Sequence, residues 1–209
     1  ASIAVGDGAL PNIPAGVEPF PPVENPDELI DLPSPFADAP EQQVAAYDGC
    51  ELLLEPSDGL GFGSWMEYAM KAESFRASEV LEALTWFPLT DAEEAAYDAP
   101  YPSREYMAGI RKFPSIVNEL GGQTQDALAG LSQYEKPFIT IWASNDAGNL
   151  GSCEAQQALI DLVPGAGGQA HTRLPESSHF LQDDQGEEIA SRLVDFYENP
   201  APFPSEIPS

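Results

Sequence analysis

The sequence predicts an α/β fold in which about three parallel strands, with their helices, frame an inserted all-helical region. Three observations predict it. Pro137-Phe138-Ile139-Thr140-Ile141-Trp142-Ala143 is an unbroken apolar, β-rich run, the composition of a strand buried on both faces of a parallel sheet. From there to Phe196 strand, helix, strand and helix alternate, the order expected of a parallel sheet with right-handed crossovers. Between about 41 and 118, by contrast, helical signals follow one another with no strand between them.

Taken in order, Ser2-Ile3-Ala4-Val5 reads as a short buried strand ended by Gly6-Asp7-Gly8. Prolines then recur at 11, 14, 19, 21, 22, 26, 33, 35 and 40, a density that forbids helix interiors and central strands and predicts an extended surface loop. Helices are expected over Glu41 to Leu54, within Gly59 to Lys71, and over Glu79 to Leu84 with Ser78 as N-cap. Thr90 caps Asp91 to Tyr97, with Glu93 at the capping-box position. Ala99-Pro100-Tyr101-Pro102 breaks the chain, Ser103 caps Arg104 to Lys112, and Pro114 opens a further short turn. After the central strand, Ser144-Asn145-Asp146-Ala147-Gly148 is turn chemistry, and Cys153 to Val163 is an amphipathic helix. Gln169 to Leu174 alternates as a half-buried strand does, and His179 follows it. Asp183, Asp184, Glu187 and Glu188 then place negative charge in a first helical turn, with Ile189, Leu193 and Phe196 on the apolar face. Residues 1–10 and 119–209 are thus expected to form the α/β part, and 11–118 the proline-rich loop and helical insertion.

Composition narrows the function classes. With 35 Asp+Glu against 8 Lys+Arg, the formal net charge of -27 repels phosphate backbones and argues against nucleic-acid partners. The same self-repulsion, relieved by salt, points to a saline environment. Apolar runs are too short to span a membrane, and no signal peptide opens the sequence, so a soluble cytoplasmic location is expected. The two cysteines, Cys50 and Cys153, are far apart and in no metal-binding pattern, and free thiols are the expected state. The two histidines, His171 and His179, show no HExxH-type spacing, so neither a metal nor a cofactor is expected.

In parallel α/β sheets ligands bind beyond the carboxyl ends of the strands. Three such ends carry polar groups here: Asp7, Asp146 and His179. A carboxylate on a neighbouring strand end can orient the imidazole and stabilise its protonated form. An acid followed by a histidine near the end of the chain fits the α/β-hydrolase order, in which the nucleophile comes first. No GxSxG occurs, and Gly-Phe-Gly-Ser64-Trp65 lies in the helical region with no strand before it, so that nucleophile is not in this chain.

Two segments carry a more specific signal. Tyr97-Asp98-Ala99-Pro100-Tyr101-Pro102, followed by Tyr106 to Pro114 (YMAGIRKFP), strongly resembles the cap-domain signature of haloalkane dehalogenases, members of the α/β-hydrolase superfamily. Ser178-His179-Phe180-Leu181-Gln182 resembles the segment that carries their histidine. The resemblance extends from about Ala1 to Tyr197 and implies the C-terminal part of an α/β-hydrolase fold plus its helical cap. It implies His179 as the base that activates water and Asp146 as its acid partner. Asp7 is the alternative acid, because some family members carry it after the earlier strand. Gly61-Phe62-Gly63-Ser64-Trp65 resembles the segment that supplies a halide-binding tryptophan. Trp65 is therefore the candidate donor and Phe62 a wall of the pocket, while Trp86 and Trp142 read as core aromatics. The partners implied are a small halogenated hydrocarbon, a halide ion, and an N-terminal chain or segment carrying an Asp nucleophile. Two alternatives stay open: an epoxide hydrolase-like α/β-hydrolase, for which a tyrosine donor in place of Trp65 would speak, and a catalytically inactive binding module.

Overall fold

A computed structural model of the chain describes residues 3–6, 14–36, 46–48, 50–54, 61–146 and 150–201. Strand β1 (Ile3–Gly6) is followed by the proline-rich stretch, then by a hairpin of β2 (Ala46–Asp48) and β3 (Glu51–Leu54). Four α-helices come next: α1 (Phe62–Lys71), α2 (Ala77–Leu84), α3 (Asp91–Asp98) and α4 (Ala108–Lys112), with a 3-10 turn on either side of the last. Helix α5 (Gln123–Leu131), β4 (Phe138–Ala143), α6 (Cys153–Leu162), β5 (Thr172–Leu174), α7 (Leu181–Asp184) and α8 (Gly186–Glu198) complete the described chain.

The expected parallel sheet is present, in the order β1-β4-β5. Ile3 pairs with Phe138 and Gly6 with Ile141; on the other side Ile141 pairs with Thr172 and Ala143 with Leu174. All six residues of β4 are buried, as its uninterrupted apolar composition requires of a strand covered on both faces. One cluster joins Phe138, Val163 and Ala166 to Val5 and Leu131; another joins Ile141, Ala143, Leu174 and Leu181 to Ile189 and Leu193 of α8. Gly165 crosses the start of β4 so closely that a β-carbon on it would lie 1.8 Å from the Lys136 carbonyl oxygen. The fit of helices to sheet therefore depends on a missing side chain as well as on apolar burial.

The third core cluster lies among the helices, where Phe36, Tyr68, Phe75, Val80 and Ala83 are buried with Trp65, Leu84 and Ile110 against them. Phe36 shows that the proline-rich stretch does more than link. It is extended and mostly exposed, as predicted, yet Ile30 exchanges backbone hydrogen bonds with the end of α1 (to the Lys71 carbonyl at 3.0 Å, from the Glu73 N–H at 3.1 Å). The Asn118 side chain likewise holds both backbone groups of Phe20, at 3.0 and 3.2 Å.

Four expectations are corrected. The segment read as a helix over Glu41 to Leu54 contains the antiparallel β2–β3 hairpin, in which Asp48 pairs with Glu51 and Ala46 with Leu54. The region between 41 and 118 is accordingly not free of strands. Ser78 is not the N-cap of α2 but lies inside it; its N–H (3.0 Å) and hydroxyl (2.8 Å) both donate to the Asp98 carboxylate, so a residue from α3 satisfies this helix start. The acidic helix start after His179 is broken at Gln185 into α7 and α8. Finally, Cys50 and Cys153 form a disulfide, with α-carbons 5.4 Å apart across a separation of 103 residues. A bridge of this span follows from where the hairpin meets the start of α6, which spacing alone does not encode. Such bonds persist in oxidising compartments, which weighs against the expected cytoplasmic location. The capping box at Thr90 and Glu93 is present as predicted. Among the described residues, no helix is long and apolar enough to cross a membrane.

Candidate active site

Because β4 and β5 run parallel and end in register at Ala143 and Leu174, the loops that follow them emerge side by side. Those loops are joined by hydrogen bonds between buried polar groups. The Ser144 N–H donates to the Leu174 carbonyl (3.0 Å), and the Asn145 N–H to that of Ser177 (3.2 Å). The Asn145 side-chain amide donates to the Pro175 and Ser177 carbonyls, and the Ser178 hydroxyl returns to the Asn145 carbonyl at 3.0 Å. Gly151 lies against the base of the first loop, where a β-carbon would meet the Asp146 nitrogen at 2.7 Å. These bonds satisfy groups that would otherwise be costly to bury, and they leave each loop little freedom to move relative to the other.

The arrangement brings Asp146 and His179 together. Nδ1 of His179 lies 2.9 and 3.0 Å from the two carboxylate oxygens of Asp146, which is fully buried. A carboxylate only accepts, so Nδ1 carries the proton and Nε2 is the nitrogen left for the cavity side. The imidazole side chain is 39% exposed. Burial pushes its pKa down, but the hydrogen bond to Asp146 and that group's charge outweigh burial and hold it above the ordinary value. His171 is held in the opposite tautomer: its Nδ1 accepts from the Thr140 N–H at 3.1 Å, and Nε2 faces the Ala166 carbonyl at 2.9 Å. It ties β4 to the strand beside it and is structural.

His179 and Phe180 form part of the wall of a cavity of about 570 Å³ between the sheet ends and the helices. The remaining wall is almost wholly apolar or aromatic, including Trp65, Val80, Leu84, Tyr97 and Ile110. Such a lining gives a small hydrophobic molecule apolar contact with few polar groups beside it. Trp65 is stacked on Phe75 at 6.0 Å and meets Phe36 edge-on at 5.1 Å, and its indole N–H has no hydrogen-bond partner among the described residues. The tyrosine hydroxyl of Tyr97 is committed elsewhere: it donates to Asp183, which pushes its pKa up to about 12.

The chain is similar in sequence to curated haloalkane dehalogenases. A haloalkane dehalogenase of Psychrobacter cryohalolentis is 35% identical over 148 residues, covering 68% of this chain and 48% of that protein. One from Mycobacterium marinum is 35% identical over 138 residues (64% and 45%), and haloalkane dehalogenase 1 of Mycobacterium tuberculosis 34% over 140 (65% and 45%).

This chain belongs to the haloalkane dehalogenase family.

It spans about half the length of the curated relatives it matches, and no family model matches it. The residues that the dehalogenase resemblance singled out do not all converge. His179, Asp146 and Trp65 share the cavity region. Phe62 does not line the cavity; it is 39% exposed, with its ring against Phe20 at 4.8 Å. Asp7 lies outside the described residues. Trp142 is a core residue whose indole donates to the Leu150 carbonyl at 2.6 Å, whereas Trp86 is 41% exposed rather than core. Sequence reasoning missed the roles of the residues that set the loops, namely the polar Asn145, Ser177 and Ser178 and the close-packed Gly151. It missed Asp184 as well, which it read only as helix-start charge. Its carboxylate accepts the N–H groups of Ser178 (2.8 Å), Trp86 (2.8 Å) and Phe87 (3.2 Å). Burial nonetheless holds its pKa above the usual carboxylate value, the three donors only partly offsetting it.

Proposed function

We propose that the chain is the C-terminal part of a haloalkane dehalogenase, hydrolysing a carbon–halogen bond to alcohol and halide with a nucleophilic aspartate supplied by an N-terminal part. The observation that carries this reading is the buried Asp146 pairing with an imidazole that opens into an apolar, tryptophan-walled cavity. Residues 1–10 and 119–209 belong to the α/β-hydrolase core in this reading, and 11–118 to the loop and cap. The acidic surface is an adaptation to salt.

In the first step the nucleophile's oxygen attacks the carbon bearing the halogen. The carbon–halogen bond breaks and the halide departs with its electron pair, leaving an alkyl ester on the enzyme. The indole N–H of Trp65 donates to the departing halide, favouring an anion over a neutral alkyl halide. In the second step Nε2 of His179 takes a proton from water as its oxygen attacks the ester carbonyl. The alcohol leaves, the carboxylate is regenerated, and the charge on the imidazolium is balanced by Asp146. The pair needs neither a metal nor a cofactor for these steps. Tyr97 does not serve as the donor of the epoxide-opening alternative, because its hydroxyl already faces Asp183.

The test uses the chain together with the N-terminal part. His179→Ala should release one equivalent of bromide per site from a bromoalkane and then stall at the ester, visible as a mass increase equal to the alkyl group. Steady turnover by that variant, or epoxide opening with no bromide release by the parent, would overturn the proposal.

A further inference from the structure

His179 is held from both sides by one short stretch of the helical layer. Its C-terminal neighbour Phe180 donates its N–H to the Leu84 carbonyl at 3.2 Å. Its N-terminal neighbour Ser178, fully buried, donates its N–H to one oxygen of Asp184 at 2.8 Å, while the other oxygen accepts from Trp86 and Phe87. Leu84 is the last residue of α2, and Val80, Leu81 and Leu84 of that helix form part of the cavity wall. The Asp184 carboxylate therefore stands at a junction: one oxygen fixes the backbone that presents the base, and the other fixes the end of the helix that bounds the substrate.

We infer that Asp184 is a positioning residue that locks the backbone of His179 to the α2 end of the cavity, so that base and cavity wall keep one fixed relation. Three N–H donors on a single carboxylate are charge-assisted and directional, and they bridge elements 97 and 98 residues apart in sequence, between which no covalent tie runs nearby. Neither side can shift without breaking its own half of the junction. A displacement of about 1 Å in a reacting group can cost on the order of 100-fold in rate. The role rests on the hydrolytic reading above for its kinetic consequence, but its structural consequence can be read without turnover.

Asp184→Asn tests it. The variant is isosteric, yet one of its two terminal atoms is a donor, so it faces either Ser178 or the Trp86–Phe87 pair with N–H against N–H. The expected result is a folded protein in which the NMR signals of the His179 ring move and broaden while those of His171, tied to Thr140 and Ala166, stay in place. In the complemented enzyme, hydrolysis of the alkyl ester should slow by about 10- to 100-fold, with formation of that ester less affected. An unmoved His179 ring, or equal disturbance of both histidines, would overturn the assignment. If the enzyme releases no halide from any haloalkane, the functional reading fails while the ring signals still decide the role of Asp184. Should the variant not fold, amide hydrogen exchange in the parent protein decides instead. The N–H groups of Ser178, Trp86 and Phe87 should open as one unit, and independent opening would refute the junction.

Discussion

Replacing Asp146 by Asn removes a charge and little volume, and the structure allows its consequence to be sized. The carboxylate is fully buried and lies 2.9 Å from Nδ1 of His179. At that distance, with an effective dielectric of about 20, a full charge pair is worth roughly 5–6 kcal/mol in favour of the imidazolium. The ring is 39% exposed, so solvent screening brings the useful part down to about 3–5 kcal/mol. At 1.36 kcal/mol per decade that is roughly 10²- to 10⁴-fold in the water-activating step. The asparagine also offers its own N–H to Nδ1, favouring the tautomer that puts a proton on Nε2, where the base must be free. Stopped-flow measurement of ester hydrolysis in the complemented enzyme checks this. The pH profile supplies a second reading with a defined sign. Burial lowers the pKa of His179, but the hydrogen bond and charge of Asp146 outweigh it, so the acid limb of the parent lies above the ordinary imidazole value. In the variant only burial remains, and the limb should fall below it. Stability follows the same linkage. The pair's contribution is complete below the unfolded pKa of about 6.5 and is lost as pH rises through the higher folded value; the variant should lack this decline. Hydrolysis within threefold of the parent, or an acid limb that moves upward, would refute the reasoning.

Trp65→Phe keeps most of the stacking on Phe75 and removes the N–H; bromide affinity and bromide release should weaken by up to about 3–4 kcal/mol, with ester hydrolysis unchanged, as read by halide titration and single-turnover kinetics. Cys50→Ser opens a bridge that closes 103 residues and should lower unfolding stability by about 2–5 kcal/mol, measured in denaturant under non-reducing conditions. A net charge of -27 should make melting temperature rise through a molar potassium chloride series, and a flat response would remove the argument for a saline habitat.

Much of the fold was legible because its strongest signals are local. The β4 run can bury both faces only in a covered parallel sheet, and the helix-period apolar residues of α6 and α8 have one place to go. Thr90 and Glu93 encode their capping box within four residues, and it forms as expected. The pairing of Asp146 with His179 was also within reach, since parallel strands deliver their carboxyl ends to one edge and the turn residues mark where they stop. The hairpin at Ala46–Leu54 was missed for the opposite reason. Its residues carry helix propensity, and only pairing between the strands, with the disulfide to Cys153, makes the extended form the better one.

What tertiary structure alone decided concerns groups whose roles depend on partners distant in the chain. Phe62 and Trp65 lie three residues apart in one helix, yet one faces Phe20 and the other the cavity, because packing against the proline-rich stretch orients α1. Asp98 finishes the start of α2, and Asp184 joins the Ser178 amide to those of Trp86 and Phe87. A carboxylate in sequence is only a charge and a propensity. Its role is assigned by the unpaired N–H groups that folding brings within 3 Å of it, and those are set by packing rather than by spacing.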